Sequence, residues 1–376
     1  MTQPFDIPSA TPTETTVMST SYRKIHSPRT THLRAAAALL IVLLAITGCT
    51  GQAEASGEQL SLDAALPTQV PSATTITVGD PVTQKALELS GEIDSLKHVE
   101  WANVSGGPQT TEAFRAGALD VGSVAEIPPI NATWTGLQVK IVASKFRLDP
   151  LDHPIYELGI APGVAVKTIA DLRGKKIAYS PGQAQGALVL KVLQKAELTK
   201  DDVSLVELPS TGDIYLNALS SHQVDVAPIG GVSIKRYLTK YAAEGATTLQ
   251  HGLRDDPSHL YALQSSLQDP AKAAAIRELV QAWARAARWV DEHPQEWVAG
   301  YYVKDQGLTA EDGEWLVQRA GHPDVPSNLT DVVKRHQATI DLLAKETGNP
   351  VLKAEDLYDQ RFVAVQAAAF REGSTS

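Results

Sequence analysis

Three short stretches rich in Ser, Thr, Gly and Pro hold the residues best suited to bind a small anion. They are SGGPQTTEAF (residues 105–114), SPGQAQGA (residues 180–187) and PSTGDIY (residues 209–215), and each follows a β-like run and precedes a helical pattern. The first turn of a helix presents backbone N–H groups without partners, and the helix dipole favours an anion there by about 0.3–1 kcal/mol. Taken singly, each stretch is better explained by ordinary helix capping.

If these stretches converge on one cleft, the sequence predicts a site for a small oxyanion. Gln109, Thr110 and the backbone near Gln183 would supply neutral donors. The predicted ligand-binding residues are Gln109, Thr110, Glu126, Gln183, Gln185, Thr211 and Gly212.

Glu126 is the acidic member of this set, and a carboxylate beside a bound anion would repel it. It either contacts an ammonium or hydroxyl donor on a taurine-like zwitterion, or it bonds a backbone N–H of its own turn before Pro128-Pro129. The second, structural role is favoured.

Motifs for catalysis, metal binding and nucleotide binding are absent from the sequence. GxxxxGK[ST], GxSxG and HExxH do not occur, and no GxGxxG follows ITVGD (residues 76–80). The ten histidines are dispersed, and His251, His259, His322 and His336 fall near turns or on polar helix faces, where a solvated role is expected. The sequence therefore predicts no catalytic residue, no metal and no cofactor.

The charge balance bears on the class of partner. Lys and Arg total 33 against 43 Asp and Glu, a formal net charge of −10. This balance disfavours general nucleic-acid binding. It does not exclude a small anion, because a few local donors capture such a ligand while distant charges are screened.

Cys49 is the only cysteine among 376 residues, so an internal disulfide and cysteine-rich metal sites are excluded. It follows a basic flank and the apolar run AAAALLIVLLAI (residues 35–46). That run is shorter than the roughly twenty residues that a membrane span needs, and its flanks are typical of a secretory signal. Ile46-Thr47-Gly48-Cys49 resembles the lipobox of bacterial lipoproteins, whose cysteine is lipidated and becomes the first mature residue. The alternative is a buried, inert thiol; Met18 is an alternative start that gives a shorter leader.

Beyond this signal the chain predicts a tether and then two α/β units. Residues 50–74 are rich in small and polar residues and lack periodicity. From Ile76 onward β-like runs alternate with helical patterns, which indicates parallel strands with crossover helices. AFRAGALDVG (residues 113–122) and ALSSHQVDVA (residues 218–227) repeat one helix-to-strand pattern, and amphipathic helices follow Asp269-Pro270.

The combined pattern resembles the substrate-binding lipoproteins of ABC importers, in the branch that handles aliphatic sulfonates, taurine and nitrate. The resemblance extends from about Thr75 to Phe362. Two blocks carry it: VEWANVSGGPQTTEAFRAGALDVGSVAEIPPINA (residues 99–132) and IADLRGKKIAYSPGQAQGALVLKVLQKAELTKDDV (residues 169–203).

This resemblance implies an α/β fold, the type II periplasmic-binding fold, with two lobes that close over one small ligand. Each lobe is a mostly parallel sheet flanked by helices, and C-terminal helices pack on the lobes. It also implies a monomeric, non-enzymatic protein, anchored outside the cytoplasm through a lipid on Cys49, that delivers its ligand to an ABC permease and its ATPase.

The predicted boundaries follow from the same resemblance. Residues 1–48 are the signal peptide and residues 49–74 the tether. Lobe 1 comprises residues 75–161 and, with the C-terminal helices, residues 258–376, and lobe 2 comprises residues 162–257. Hinges are expected near residues 156–161 and 261–265.

Three departures from the family pattern leave the ligand open among sulfonate, taurine and nitrate-like anions. Gly182-Gln183 stands where sulfonate binders often have Gly-Ser, Ile229-Gly230-Gly231 where they commonly have Trp-Asp, and Glu126 where many have Asp. Two other functions stay open. One is an enzyme of the same fold related to thiamin-pyrimidine synthesis, whose cysteine-rich iron motif a single cysteine cannot supply; the other is a ligand-sensing surface lipoprotein.

Overall fold

Two mixed β-sheets with helices on both faces make up residues 59–372, the part of the chain that our computed structural model describes. The predicted signal peptide, Cys49 and the start of the predicted tether lie outside these residues. The strands are β1 (Ile76–Gly79), β2 (Val99–Trp101), β3 (Val121–Val124), β4 (Val139–Arg147), β5 (Tyr156–Ile160), β6 (Lys176–Tyr179), β7 (Ser204–Glu207), β8 (Val226–Gly230), β9 (Thr247–Leu249), β10 (Ser258–Leu263) and β11 (Pro323–Asp324).

The helices are mostly short, apart from two long ones in the C-terminal third. In chain order they are α1 (Pro81–Ser90), α2 (Gly107–Arg115), α3 (Ile127–Trp134), α4 (Ala184–Lys195), α5 (Ile214–Ser220), α6 (Val232–Tyr241), α7 (Gln264–Gln268), α8 (Pro270–Glu292), α9 (Pro294–Trp297), α10 (Ala310–Ala320), α11 (Thr330–Thr347) and α12 (Val363–Arg371). A π-helical segment, Val298–Val303, continues α9.

The two sheets share one design. The first has the order β11-β4-β10-β3-β1-β2, and the second has the order β7-β6-β8-β5-β9. β1 is parallel to β2 and β3, and β6 is parallel to β7 and β8. In each sheet an antiparallel strand lies next to these parallel strands: β10 beside β3 in the first sheet, and β5 beside β8 in the second. The prediction of an α/β fold with two helix-flanked sheets is confirmed.

β5 belongs to the second sheet, where it pairs with β8 and β9. The chain therefore changes sheets between Arg147 and Tyr156, ahead of the predicted lobe boundary at residue 161. β10 returns to the first sheet at Ser258. Hinge motion at these two crossings stays a prediction.

Part of the predicted tether lies against the fold. The Leu60 N–H donates to the Gln268 carbonyl at 2.8 Å, and Leu62, Leu66 and Val70 pack on the core between the first sheet and α8. The four-residue spacing of these apolar side chains is a signal that the compositional interpretation overlooked.

The helix predicted after Asp269-Pro270 is confirmed as α8. The Asp269 side chain accepts from the Ala271 and Lys272 N–H groups, and Pro270 occupies the first turn, where its missing N–H costs nothing. The apolar stripe of α8, with Leu279 and Trp283 at its centre, packs against the first sheet.

A buried histidine pair connects the first sheet to α11. His259 Nδ1 lies 2.8 Å from Ser144 Oγ, and His336 Nδ1 lies 2.9 Å from Tyr358 Oη. The two imidazole rings are stacked with centroids 6.1 Å apart. His251, His259 and His336 are all buried, so the expectation that they are solvated is wrong. The partners of His259 and His336 are remote in sequence, which is why local pattern did not reveal that these two residues are buried.

Acid should destabilise the protein through His259. Burial lowers its pKa from 6.5 to about 3, so below pH 6.5 the unfolded chain binds a proton that the folded chain rejects, at roughly 1.4 kcal/mol per pH unit. We expect the free energy of unfolding, measured with urea from pH 7 to pH 5, to fall less steeply in His259→Asn. His222→Asn is the matched control, because His222 is exposed at φ 55°, which Asn tolerates. Equal pH slopes for wild type and His259→Asn would contradict this role.

Candidate functional site

The predicted site residues lie where parallel strands end and helices begin in both sheets. In open α/β sheets, ligands bind beyond the carboxyl ends of the strands. Gln109 and Thr110 are in the first turn of α2, Glu126 precedes α3, Gln183 and Gln185 are at the start of α4, and Thr211 and Gly212 precede α5.

Two hydrogen bonds join the loop after β6 to its neighbours. Asn131 Nδ2 in α3 donates to the Gly182 carbonyl at 2.9 Å, and this bond connects the first sheet's helices to the second sheet's loop. Ser210 Oγ donates to Gln183 Oε1. The structure thus brings Gln183 and the stretch PSTGDIY together.

The start of α2 is packed on the start of α3. A Cβ added at Gly107 would lie 2.5 Å from Pro128 Cγ, so only glycine permits this approach. We call the continuous edge formed by Gly107, Pro128, Asn131, Gly182, Gln183 and Ser210 the cleft rim.

The helix starts differ in what they offer an anion. At α1, the Asp80 carboxylate already accepts from the Thr83 N–H at 3.1 Å. At α3, Pro128 and Pro129 remove two of the first-turn donors. The starts of α2, α4 and α6, preceded by Gly106, Gln183 and Gly231, carry no side-chain cap. Their N–H groups are the donors that an oxyanion would meet.

Two buried hydroxyl groups without hydrogen-bond partners lie beside α4. Ser180 follows β6 directly, and Tyr215 lies in α5; both are buried, and the two hydroxyls are close without the geometry of a hydrogen bond. Burial raises the pKa of Tyr215 to about 12, so the phenol is neutral and able to donate. Buried polar atoms rarely stay unpaired, so either a small rotation joins these two hydroxyls to each other or a ligand oxygen or water bonds both.

Thr110 and Gln109 differ in how available they are. The Thr110 hydroxyl is buried and donates to the Gly106 carbonyl at 2.8 Å, so its proton is used within the helix. Gln109 is exposed, with Oε1 lying over Gly106. Gln185 and Thr211 make no side-chain hydrogen bond to another residue of the described range, and Gly212 is exposed with φ 56°.

Glu126 forms an ion pair between the two lobes. Its carboxylate contacts Lys191 Nζ in α4 and accepts from Thr339 Oγ1 at 3.3 Å. Burial is the largest single influence and would raise the pKa of Glu126, but the charge and hydrogen bond of Lys191, together with His336 and His259, hold that pKa below its usual range.

The favoured interpretation, that Glu126 bonds an N–H of its own turn, is not what the structure has. Its side chain makes no cap. A capping side chain would accept from the backbone nitrogens of the second and third helical residues. Here those residues are Pro128 and Pro129, which have no N–H to donate.

Sequence reasoning missed Asn131, Ser180 and Lys191. Signals existed for two of them: Ser180 ends a β-like run inside a selected stretch, and Lys191 interrupts the apolar segment GALVL-VL of α4. No pattern singles out Asn131.

Neither a metal centre nor a membrane span is found within residues 59–372. No group of three or more His, Cys, Asp or Glu there could hold a metal ion. No helix in this range has both the length and the apolar character to cross a bilayer.

Comparison with curated proteins identifies partial relatives. An Escherichia coli (strain K12) protein assigned as an aliphatic sulfonates-binding protein is 32% identical over 105 residues, which cover 28% of this chain and 32% of that protein. The match thus spans about a third of the relative's length.

Solved structures match over most of the described chain. The alkanesulfonate-binding protein SsuA from Xanthomonas axonopodis pv. citri, bound to MOPS, aligns with a TM-score of 0.63 at 22% identity and covers 78% of this chain and 99% of that one. A mutant of the desulfurization enzyme DSZB in complex with biphenyl-2-sulfinic acid aligns with a TM-score of 0.55 at 17% identity, with 78% and 99% coverage. These likenesses confirm the predicted periplasmic-binding-protein-like fold.

The family model described as NMT1/THI5 like matches residues 98–297, more than half of the 376 residues. This range contains the cleft rim, both sheet crossings and the two sequence blocks that carry the predicted resemblance. The chain belongs to the NMT1/THI5-like family.

Proposed function

We propose that this protein is an extracytoplasmic solute-binding protein that captures a small anion and delivers it to an ABC permease and its ATPase. An aliphatic sulfonate, taurine or a nitrate-like anion would bind between the lobes at the cleft rim. The observation that carries the proposal is the buried, unpaired Ser180–Tyr215 hydroxyl pair beside the uncapped start of α4. The sulfonate-binding relatives support it.

Neutral hydrogen-bond donors are suited to binding a small anion. Fixed N–H dipoles and hydroxyl groups hold an anion without a paired cation. Lys191, a cation on the helix that begins beside the rim, is already paired with Glu126.

Catalysis is a weaker candidate. The Ser144–His259 pair, at 2.8 Å, has the contact of a nucleophile and its base. Both residues are buried, and a pKa of about 3 leaves His259 a poor base at neutral pH. This pair therefore supports the core.

Removing the Ser180 hydroxyl should weaken anion binding. We expect Ser180→Ala to cost about 1–3 kcal/mol of affinity for the anion that wild type prefers among ethanesulfonate, taurine and nitrate. Gln183→Ala should also weaken binding, and titration calorimetry measures both. Ser204→Ala is the matched control, because Ser204 is exposed on β7. If wild type binds one of these anions and Ser180→Ala and Gln183→Ala both bind it equally well, the site assignment fails.

Breaking the Glu126–Lys191 pair should favour the open form. Since this pair bridges the lobes, Glu126→Gln and Lys191→Met should each weaken sulfonate and taurine alike and enlarge the ligand-free radius of gyration in small-angle scattering. The double variant should cost less than the sum of the single variants. A loss confined to taurine in Glu126→Gln would instead assign Glu126 to the ligand's ammonium group.

Lipid anchoring is part of the proposal and depends on Cys49, which lies outside the described residues. Cys49→Ala should move the protein from the membrane fraction to the soluble fraction, because the lipidated side chain is lost. Anion affinity of the purified variant should equal that of wild type. Membrane attachment that persists in Cys49→Ala would refute the lipobox interpretation.

A further inference from the structure

A cavity of about 400 Å³ lies where α4 of the second sheet meets α11, beside the segment that leads into β10. We call it the α4–α11 cavity. Of the seven predicted site residues only Glu126 lines it, so it is separate from the other residues of the cleft rim. Its lining carries four cations, which are Lys191, Lys195, Arg254 and Arg335.

Two of these cations are balanced by the two carboxylates of the lining. Glu126 contacts Lys191 Nζ. Arg254 donates to Asp256 through Nε at 3.0 Å and Nη2 at 2.8 Å. These hydrogen bonds raise the pKa of Arg254 against the effect of burial, and the charge of Asp324 adds to the rise. The acids of the lining are therefore already engaged with Lys191 and Arg254.

The other two cations, Lys195 and Arg335, have no acidic partner. No carboxylate oxygen in the described part of the chain lies within 4.0 Å of either charged group. Lys195 Nζ donates to the carbonyls of His251 and Gly252 at 3.2 and 2.6 Å, which are dipoles rather than charges. The Arg335 guanidinium is half-buried, 5.2 Å from the centroid of the Phe146 ring, and makes no hydrogen bond within residues 59–372. The lining thus retains a formal charge of two.

The two unpaired cations belong to different walls of the cavity. Lys195 is one turn after Lys191 on α4, and Thr339 is one turn after Arg335 on α11, so each pair shares a helix face. Lys191 and Thr339 Oγ1 both contact the Glu126 carboxylate, which joins these two faces. A ligand that reached both unpaired cations would therefore span from α4 to α11.

We infer that the α4–α11 cavity is a binding site for a small dicarboxylate. One carboxylate would pair with the Arg335 guanidinium, whose fork of N–H donors matches a carboxylate, and the other would pair with Lys195. The carbon chain between them would lie against Leu253 and Leu342 of the lining. A monocarboxylate would leave one cation unpaired, and a single compact oxyanion would leave the apolar side chains in contact with water.

The test uses succinate, butyrate and inorganic phosphate as probes, measured by titration calorimetry at neutral pH and constant ionic strength, because salt screens such contacts. We expect wild type to bind succinate at least about tenfold more tightly than butyrate, which lacks one charge-assisted contact. Arg335→Met, which keeps an apolar stem beside Phe146, should lose at least about tenfold for succinate, and so should Lys195→Met. Lys345→Met is the matched control, because Lys345 is exposed further along α11 and does not line the cavity.

The cleft variants separate this inference from the proposed function, on which it does not rest. Ser180→Ala and Gln183→Ala should bind succinate as wild type does. The cavity assignment is wrong if Arg335→Met and Lys195→Met keep wild-type affinity for succinate, with circular dichroism confirming their fold. It is equally wrong if only the two cleft variants lose succinate, since succinate would then bind at the cleft rim. Wild type that does not bind succinate, or that binds butyrate or phosphate as tightly, would overturn the dicarboxylate class.

Discussion

The exchange of one strand between the two halves of the chain is the constraint on which the site depends. β5 leaves the first half to pair antiparallel with β8, and β10 returns to lie between β3 and β4. Because the parallel strands of each sheet then end near the crossings, their loops face the other lobe. Asn131 reaches Gly182, and Glu126 reaches Lys191, only because of this arrangement. The Glu126–Lys191 ion pair and the hydrogen bond from Asn131 to Gly182 are therefore consequences of topology rather than of local sequence pattern.

Topology also explains which parts of the molecule were predictable from sequence. Alternating β-like runs and helical patterns depend on local periodicity, so the two α/β units and the start of α8 could be predicted from the sequence. The sheet to which β5 belongs could not be predicted, because a buried strand has the same apolar sequence pattern in either sheet. The buried state of His259 and His336 depends on Ser144 and Tyr358, which no short window contains.

At the candidate site, sequence located the loops better than the roles of individual side chains. The stretches that suit helix starts do occur at the ends of parallel strands. The Thr110 hydroxyl, however, donates to the Gly106 carbonyl within its own helix. Glu126 cannot cap α3, because the two residues that would donate to it are prolines. The second fact was available from the sequence, since Pro128 and Pro129 lack N–H groups. The pairing of Glu126 with Lys191 was not, because it depends on how the lobes meet.

The cleft rim and a cavity beside α8, whose lining includes Lys145, Arg147 and Trp297, are different electrostatic environments. At the cleft rim, the hydrogen-bond donors are backbone N–H groups and hydroxyls, whose dipoles are held in place by the fold. In the cavity beside α8, Lys145 and Arg147 carry formal charge in a place where burial lowers the pKa of each. Asp80 opposes this shift at Lys145, and Asp255 and Asp256 oppose it at Arg147, so carboxylates of the fold itself balance these two cations. The difference between the two places follows from whether the polar groups are backbone dipoles or ionised side chains.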